Sequence, residues 1–325
     1  MILVLNCGSQ SIKWKVFDKN LNLISEGKKD CFKKSYYEQN LKKELKKIKT
    51  LYPEIKWIGH RVVHPIDELA PLHNPFERLG VKIAKKEFPQ AKQKIIYDTD
   101  FFKNLPDVSQ IYPLPKNLVK KYSIRRCGFH GISHQYLVEK AAEILKKPLK
   151  KLNLITLHLG GGCSMTAIKN GQPIDTSMGF TPLEGLAMMT RSGDLDPGIL
   201  IFLTKKIGVD KLEEILNHQS GLKAICGESD FRKILKRKDK KAELAKRIFI
   251  YRIKKYLSAY FGILKGKVGA VVFSGQIGAG YQQTRKMILK DLPFLKKTKI
   301  LVIKTDEEYQ IAKEIIRVNP RVNPH

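Results

Sequence analysis

Two arginines that interrupt apolar segments are the first residues in this sequence that could do chemistry. Arg61 stands in the segment GHRVVH (59–64), and Arg191 stands in MTRSGD (189–194). Lysine is the usual cation of this chain. An arginine in an apolar segment therefore favours a planar oxyanion, a carboxylate or a phosphate, which the guanidinium binds through two hydrogen bonds. A structural ion pair is the alternative for each arginine taken alone.

Two acidic residues in similar settings could complement these arginines. Asp98 follows an apolar run at 95–97, and Glu307 comes just after a predicted strand over Lys299–Ile303. Carboxylate oxygens are the ligands that a hard cation such as Mg²⁺ prefers. Phosphoryl transfer requires cations around the migrating group, a divalent metal and in-line positioning. These residue types therefore favour a phosphotransferase.

Histidine is the third residue type with catalytic potential. Among the eight histidines, His73, His130, His134 and His158 lie in segments bordered by glycine or proline. The spacing of His130 and His134 fits a metal pair, but no third ligand is nearby, so a zinc site is not expected. A structural role in the core suits His134 better than His130.

Three glycine-bearing turns follow three predicted strands, at Asn6–Ser11, Gly160–Ser164 and Gly275–Gly280. Glycine after a strand allows a sharp turn that directs several N–H groups into one concavity, where a phosphate can bind. An ordinary hairpin turn explains any one of them. The three together, with Ser9, Ser11 and Ser164 beside them, favour a nucleotide site. Neither a P-loop nor a dinucleotide-binding fingerprint is present.

The elements that must position these residues form a repeated pattern. Strands predicted at Ile2–Leu5, Ile12–Phe17 and Leu21–Ser25 are separated by a glycine turn and a tight turn. The same order recurs at Leu154–Leu157, Met165–Ile168 and Pro173–Thr176. Two copies about 150 residues apart predict two similarly folded lobes that face each other across a cleft. Further predicted elements are a strand at Val268–Phe273 and helices at Ser133–Leu145, Ala245–Leu264 and Glu307–Arg317.

Composition limits the class of protein. The chain has 325 residues with a 42% hydrophobic share, which is enough for ordinary cores and excludes wholesale disorder. No apolar run reaches the length of about 18 residues that a membrane span needs. The N-terminus does not resemble a signal peptide, and the five scattered cysteines do not form a disulfide framework. We therefore expect a soluble protein of the cytoplasm.

The formal net charge of +30 is compatible with nucleic-acid binding but does not require it. The densest basic runs, Lys42–Lys47 and Lys233–Lys241, have lysines at helical spacing beside leucine and isoleucine. Such runs are typical of solvated helix faces. At most, weak and non-specific binding of nucleic acid is expected.

Seven motifs, in order along the chain, resemble the acetokinase family, the acetate kinases. They are NCGSQSIK (6–13), GHRVVH (59–64), APLHNP (70–75), RCGFHGISH (126–134), DTSMGFTPLEGLA (175–187), TRSGD (190–194) and TDEE (305–308). The resemblance implies an α/β fold, the duplicated actin-like ATPase (ribonuclease H-like) fold with two lobes around a central cleft. It places one lobe at residues 1–100, completed by a C-terminal helix at 309–325, and a second lobe with the nucleotide site at 101–308.

The resemblance also implies an activity and roles for individual residues. The family transfers a phosphoryl group between ATP and acetate, with Mg²⁺ (or Mn²⁺), as a homodimer. The catalytic set would be Arg61, Asp98, His130 and Arg191, with Asn6 and Glu307 at the metal. The acetyl pocket would be Val63, Leu72, Phe129 and Pro182, beside Arg61. Phosphate and ATP would bind at Ser9, Ser11, Lys13, His73, His158, Gly160, Gly162, Asp230, Phe231, Arg232, Gly275 and Gly278.

Departures from the family concern mainly the nucleotide pocket. Gln276, Ala279, Gly280 and Tyr281 stand where the family has other residues, and the chain is several dozen residues shorter. Two alternatives therefore remain beside an acetate kinase. One is a kinase for propionate or with a phosphoryl donor other than ATP. The other is a kinase-fold protein that binds nucleotide or a partner without turnover.

Overall fold

The protein is described by a computed structural model that covers residues 1–8, 11–31, 34–69 and 74–318. It divides into two compact units. Unit 1 comprises Met1–Asp100, Gly131–Ser133 and the chain from Asp306 onward, and unit 2 comprises Phe101–His130 and His134–Thr305. No helix in the described ranges is both long enough and apolar enough to cross a lipid bilayer.

The strands are numbered in chain order. They are β1 (Ile2–Cys7), β2 (Ser11–Phe17), β3 (Leu23–Asp30), β4 (Trp57–Val62), β5 (Lys92–Tyr97), β6 (Leu154–Leu159), β7 (Cys163–Lys169), β8 (Gln172–Thr176), β9 (Ala270–Ser274) and β10 (Lys299–Val302).

The α-helices are α1 (Tyr37–Leu51), α2 (Asn74–Glu87), α3 (Asp107–Gln110), α4 (Lys116–Lys121), α5 (Gly131–Leu145), α6 (Pro197–Ile207), α7 (Val209–Glu214), α8 (Gly221–Cys226), α9 (Phe231–Lys236), α10 (Lys240–Ile263), α11 (Gly275–Gly280), α12 (Gln282–Leu289) and α13 (Glu307–Arg317). Short 3₁₀ segments lie at Lys34–Tyr36, Asp67–Leu69, Asp100–Phe102, Leu149–Lys151 and Pro293–Leu295, and a π-helical turn lies at Ile215–Gln219.

Unit 1 is built on a five-stranded mixed sheet in the order β3-β2-β1-β4-β5. β1 and β2 pair antiparallel, as do β2 and β3, whereas β1, β4 and β5 run parallel. All of β1 is buried because one face packs in a core with α1 and α2 while the other packs against α13. β3 is an exposed edge strand that is rich in charged residues, as is usual for an edge open to solvent.

Unit 2 repeats this arrangement. Its sheet has the order β8-β7-β6-β9-β10, with β6, β7 and β8 antiparallel in turn and β6, β9 and β10 parallel. Leu137, Val138 and Ala141 of α5 pack on β6 and β9 in a core of buried side chains. Each unit is therefore a three-stranded meander extended by two parallel strands, and the predicted duplication of the α/β actin-like fold is confirmed.

Several boundaries differ from those that the sequence predicts, and two of these differences have a local cause in an aspartate side chain. The third strand was expected at Leu21–Ser25 but begins at Leu23, because the preceding turn is longer. The Asp18 carboxylate accepts hydrogen bonds from the backbone N–H groups of Asn20 and Asn22, and Leu21 has a left-handed backbone with φ +64°. The expected helix Ala245–Leu264 begins instead at Lys240, because the Asp239 carboxylate caps its first turn at Ala242.

The expected glycine turn at 275–280 is a helix for most of its length. Gly275 makes the turn itself, at φ +74°, and a Cβ atom there would lie 2.4 Å from the carbonyl oxygen of Leu159. The remaining residues wind into α11. The lysine run at 42–47, in contrast, lies as predicted. Lys42, Lys43, Lys46 and Lys47 occupy the exposed face of α1, while Leu41, Leu45 and Ile48 are buried.

Candidate functional site

In unit 1, the predicted polar residues gather where three parallel strands end. Asn6 is near the end of β1, Arg61 is near the end of β4, and Asp98 directly follows β5. Glu307 is the first residue of α13. The carboxyl ends of neighbouring parallel strands share one edge of the sheet, which is the usual place for ligands in such folds.

Arg61 is the centre of this group. Its Nη2 and Nε donate to the two carboxylate oxygens of Asp98 at 2.6 and 3.3 Å, and its Nε lies 3.5 Å from Glu307 Oε2. Nη1 donates to Asn6 Oδ1 at 3.4 Å. Asp98 is 1% exposed, so this two-point pair lies largely out of water, where such pairs fix geometry well.

Negative charge is in excess around Arg61. Burial alone would lower the pKa of Arg61, but the carboxylates of Asp98 and Glu307 outweigh it and raise that pKa well above its usual value. Burial, together with Asp98 and Glu308, raises the pKa of Glu307 to about 7 although Arg61 opposes the shift. Lys13, which pairs in register with Asn6, also lowers the pKa of Glu307, as Arg61 does.

The donor types around Asn6 and Glu307 fit a hard divalent cation. Both side chains offer oxygen ligands, and a cation would stabilise the Glu307 carboxylate against burial and the nearby charges of Asp98 and Glu308, which raise its pKa. Among the described residues, no three His, Cys, Asp or Glu side chains are grouped as a complete metal site. A cation here would take its other ligands from water and phosphate, as Mg²⁺ commonly does.

In unit 2, a chain of hydrogen bonds fixes His130. Ser164 Oγ lies 2.8 Å from His130 Nδ1 and 2.8 Å from His134 Nε2, and His134 Nδ1 lies 2.7 Å from Thr156 Oγ1. His130 also stacks on His158 with 4.4 Å between ring centroids. Its backbone is left-handed, at φ +57°, an uncommon conformation that is often found at functional sites.

His134 has the structural role that the sequence favours. It is fully buried, and burial lowers its pKa well below the usual value, with a further contribution from His158. A neutral His134 has one donor and one acceptor nitrogen, so the single hydroxyl proton of Ser164 serves one histidine while the other donates to the oxygen. The network therefore sets the orientation of His130.

The glycine turn between β6 and β7 faces His130 and Arg191. A Cβ atom on Gly162 would lie 3.2 Å from His130 Cε1 and 3.7 Å from Arg191 Nη1. Gly160 donates its backbone N–H to the carbonyl of Gly162 at 3.0 Å, which closes the turn. Space is open beside Gly161, where a Cβ atom would meet nothing within 4 Å.

Arg191 has no ion-pair partner among the described residues, in contrast to Arg61. Burial lowers its pKa, and the thiol of Cys163 gives the opposing contribution. The loop around it is held by backbone hydrogen bonds, from Met188 N to the Arg191 carbonyl at 3.0 Å and from Ser220 N to the Thr190 carbonyl at 3.0 Å. A half-buried guanidinium without a counter-ion is suited to a bound oxyanion.

A pocket of about 220 Å³ in unit 2 brings together most of the predicted adenosine residues. It is lined by Gly160, Gly161, Met189, Ser229, Asp230, Phe231, Arg232, Gln276, Ile277 and Tyr281. Phe231 and Tyr281 form a tilted aromatic pair with 5.9 Å between centroids. Arg232 pairs with Asp230 at 2.7 Å and is largely exposed.

Two glycines assigned to the nucleotide lie elsewhere in the same loop. Gly275 and Gly278 are not among the lining residues. They pack on Leu159, where a Cβ atom would approach to 2.4 Å and 3.5 Å respectively. Gly275 and Gly278 pack on Leu159 because the chain turns sharply from β9 into α11 beside β6, where only small residues fit.

Some predicted residues stay untested by this geometry. Val63 is buried in unit 1. Phe129 and Pro182 belong to unit 2, where Phe129 is buried and Pro182 is half-buried. Ser9, Leu72 and His73 lie outside the described residues. Ser11 begins β2, and its carbonyl accepts a hydrogen bond from Gly8 N at 2.9 Å.

Sequence reasoning missed several residues of these groups. Glu77 of α2 is buried and accepts a hydrogen bond from Val63 N at 2.8 Å. Glu184 pairs with Arg126 at 2.5 Å and with the Tyr112 hydroxyl. Glu184 lies in the DTSMGFTPLEGLA motif, which could have singled it out. Nothing in the local sequence distinguishes Glu77 from a surface residue.

Comparisons with solved structures define the class first. The structure is similar to that of acetate kinase from Porphyromonas gingivalis, with a TM-score of 0.87 and 33% identity over 98% of this chain and 99% of the other. A ROK hexokinase from Thermus thermophilus shares the fold alone, with a TM-score of 0.51 and 12% identity over 98% and 99% of the two chains. The fold is that of the duplicated actin-like kinases.

Comparisons of sequence then define the family. The family model described as "Acetokinase family" matches residues 65–314. Acetate kinase from Sulfurovum sp. (strain NBC37-1) is 37% identical over 386 aligned residues, covering 96% of this chain and 97% of the relative. The chain belongs to the acetokinase family. Because the alignment is longer than the 325 residues of the chain, the relative contains segments that this chain lacks.

One structural neighbour is named for a different substrate. A propionate kinase from Francisella tularensis subsp. tularensis SCHU S4 matches with a TM-score of 0.87 and 36% identity, over 96% of this chain and 98% of the other. Membership of the family therefore makes the protein a kinase and leaves its phosphoryl acceptor open.

Proposed function

We propose that this protein is an acetate kinase. It transfers the γ-phosphoryl group of ATP to acetate, reversibly and with Mg²⁺, and gives acetyl phosphate and ADP. The observation that carries the proposal is Arg191, a half-buried guanidinium with no ion-pair partner among the described residues, beside His130 and the Gly160–Gly162 turn.

Arg191 would stabilise the migrating phosphoryl group. Charge on the equatorial oxygens of that group is spread over the transition state, and a fixed cation stabilises it without reorganising. Its guanidinium is free to make two hydrogen bonds to such oxygens because no described carboxylate occupies it. The open space beside Gly161 supports a phosphate near this turn.

His130 would donate a hydrogen bond to the same group. Its Nδ1 is engaged with Ser164, and its Nε2 faces the glycine turn, 3.3 Å from where a Cβ atom of Gly162 would be. The buried neutral His134 and Thr156 hold Ser164 in place. The network gives His130 a fixed direction, which is the contribution that positioning makes to catalysis.

Arg61 would bind the carboxylate of the acid, and Asp98 would hold Arg61 in position. A carboxylate is already a competent nucleophile, so no covalent enzyme intermediate is required. One of its oxygens forms the new bond to the γ-phosphorus as the bond from that phosphorus to the bridging oxygen of ADP breaks. Asn6 and Glu307 would hold Mg²⁺, which neutralises charge on the donor phosphates.

The choice of acid would depend on Val63, Leu72, Phe129 and Pro182, the apolar residues assigned to the acetyl group. Side chains of this size leave room for a methyl group or little more. A propionate kinase is the second candidate, and the likeness to the kinase from Francisella tularensis supports it.

The phosphoryl donor would bind at the pocket of Asp230, Phe231 and Arg232. The aromatic pair of Phe231 and Tyr281 offers a surface on which a base can stack. Because Tyr281 and Gln276 also line this pocket, a donor other than adenosine triphosphate is part of the second candidate function.

We infer that the protein acts as a homodimer. Support comes from α6, which has no buried residue although it carries Ile201 and Phe202, each 59% exposed. Apolar surface of this kind is typical of interfaces. Light scattering coupled to gel filtration should give a mass near twice 37.2 kDa, and a monomer would contradict the inference.

A hydroxamate assay for acyl phosphates tests the function. Purified protein is supplied with Mg²⁺, with acetate, propionate or butyrate, and with ATP, GTP or pyrophosphate as donor. Acetate with ATP should give the highest kcat/KM. A higher value with propionate or with pyrophosphate would select the second candidate. No transfer in any combination, together with tight and salt-tolerant RNA binding, would indicate a binding protein; weak, salt-sensitive RNA binding is expected.

A further inference from the structure

Glu77 is a buried carboxylate that the proposed mechanism does not use. It lies in the first turn of α2 and is 1% exposed. One oxygen, Oε2, accepts a hydrogen bond from the backbone N–H of Val63 at 2.8 Å. The other, Oε1, is buried and has no hydrogen-bond partner among the described residues. A buried carboxylate with one donor is costly, so its presence requires a reason.

The position of Glu77 gives that reason. Val63 directly follows β4, two residues after Arg61, so Glu77 holds the chain at the point where it leaves the Arg61 strand. Asn74 of the same helix forms hydrogen bonds with the backbone of the next residue, His64. Its Oδ1 accepts from His64 N at 3.3 Å, and its Nδ2 donates to the His64 carbonyl at 2.7 Å.

The charge of Glu77 also acts on Arg61. The carboxylate contributes to the raised pKa of Arg61, along with those of Asp98 and Glu307. Five titratable or charged groups face Glu77 from the elements packed around it: Arg61 of β4, Asp98 after β5, Arg78 of α2, Cys7 of β1 and Tyr37 of α1. Burial and Asp98 raise the pKa of Glu77 to about 7, against the opposing effect of Arg61.

We propose that Glu77 is a positioning residue of the acid-binding strand: its carboxylate fixes the backbone at Val63, and its negative charge weakens binding of the substrate carboxylate at Arg61. The second part rests on the proposed function. Above pH 7 Glu77 is ionised and the KM for the acid is higher. Below pH 7 it is neutral and that KM is lower. The KM for acetate should therefore rise between pH 6 and pH 8.

The test compares Glu77→Gln with wild type and with Glu68→Gln, which removes the same charge from an exposed position of unit 1. Glutamine keeps an oxygen for Val63 N–H but carries no charge. At pH 8 it should lower the KM for acetate about 3- to 10-fold, as expected for one nearby charge in a partly desolvated setting, with kcat within about threefold. Its KM should rise less between pH 6 and pH 8 than that of the wild type, because only the charge on Glu307 then still changes beside Arg61.

A second measurement needs no turnover. The amide resonance of Val63 should shift with pH around 7 in the wild-type protein and should stop doing so in Glu77→Gln. A Val63 amide that does not titrate, or a Glu77→Gln protein whose KM behaves like that of Glu68→Gln, overturns the proposal. If the wild type transfers no phosphoryl group, the proposed function fails, and the Val63 amide alone then decides whether Glu77 is a positioning residue.

Discussion

The two arginines proposed for catalysis stand in opposite electrostatic settings. Arg61 in unit 1 is bound by Asp98 at two points and lies 3.5 Å from Glu307, and its pKa is raised. Arg191 in unit 2 has no carboxylate partner among the described residues, and burial lowers its pKa. The same residue type is therefore paired with carboxylates of the protein in one unit and has no carboxylate partner among the described residues in the other.

Under the proposed function, this difference assigns different tasks to the two regions. Surplus carboxylates in unit 1 favour a cation and hold Arg61 rigidly, so that its remaining donors can orient a small acid. In unit 2, Arg191 is a partly buried cation with no carboxylate partner among the described residues to compensate for its lost hydration. Such a cation favours binding of an oxyanion that develops negative charge during the reaction.

Metal removal should have the largest effect, because it acts on the region with surplus negative charge. EDTA should reduce transfer to background, and added Mg²⁺ should restore it. The Glu307→Gln variant should need about 10-fold or more Mg²⁺ for half-maximal rate, since loss of groups at a metal site commonly costs that much. Full activity in EDTA would remove Asn6 and Glu307 from a metal site.

Ser164→Ala should break the orientation of His130 in unit 2. The variant loses the oxygen that joins His130 to His134, so kcat should fall about 10- to 100-fold through misplacement of the imidazole. Ser109→Ala, which removes an exposed hydroxyl of the same unit, is the matched control. Equal rates for the two variants would show that the hydrogen-bond chain has no catalytic effect.

Val63→Ala should sharpen the assignment of acid binding to unit 1. An apolar pocket discriminates by about 10- to 200-fold per methylene, so the wild type should prefer acetate over propionate within that range of kcat/KM. The variant should narrow the ratio, because it makes room for one more carbon. The ratio cancels any loss of folded protein, and Val108→Ala, at a 95% exposed position, is the control. An unchanged ratio would place Val63 outside the acyl pocket.

Glu77→Gln should change stability in a pH-dependent way. The folded-state pKa of Glu77, about 7, lies above the ordinary value of 4.5, so the wild type loses unfolding free energy as pH rises from about 4.5 through 7. Glutamine abolishes that loss. The free energy of unfolding of the variant should exceed that of the wild type by on the order of 1–3 kcal/mol at pH 8 and by much less at pH 5, measured by urea unfolding. Equal changes at both pH values would be evidence against an ionised, buried Glu77.

Much of the fold could be predicted because it is encoded locally. Apolar strands joined by glycine and asparagine turns recur twice, and the sheets β3-β2-β1-β4-β5 and β8-β7-β6-β9-β10 follow that repeat. The helix Glu307–Arg317 was predicted with its observed bounds from the residues, because its apolar side chains recur with the helical period. The helix at 309–325 that the resemblance implied is wrong at its start, which lies at Glu307, and its last residues lie outside the described part of the chain. The third strand was misplaced because side-chain hydrogen bonds of Asp18 lengthen the turn before it.

The sequence shows which charged residues belong to the candidate sites, but it does not show which of them form ion pairs with one another. Arg61, Asp98 and Arg191 stand out as charged residues in apolar segments, but only tertiary structure decides which arginine meets a carboxylate. Glu77 could not be found at all. Its burial depends on how α2 packs on β4, and its own helix also carries exposed charged residues. His130 takes its left-handed backbone from the junction before α5, which no local pattern announces.

The kcat of Arg191→Ala decides whether the unpaired guanidinium of unit 2 takes part in phosphoryl transfer. Arg125→Ala is the control, because it removes an exposed guanidinium from the same unit. Arg191→Ala should lower kcat by roughly 10²–10⁴ with ATP, acetate and Mg²⁺, since it removes a fixed cation from the transition state. Arg125→Ala should keep the wild-type rate. If Arg191→Ala turns over as fast as Arg125→Ala, the unpaired guanidinium is not part of the catalytic machinery.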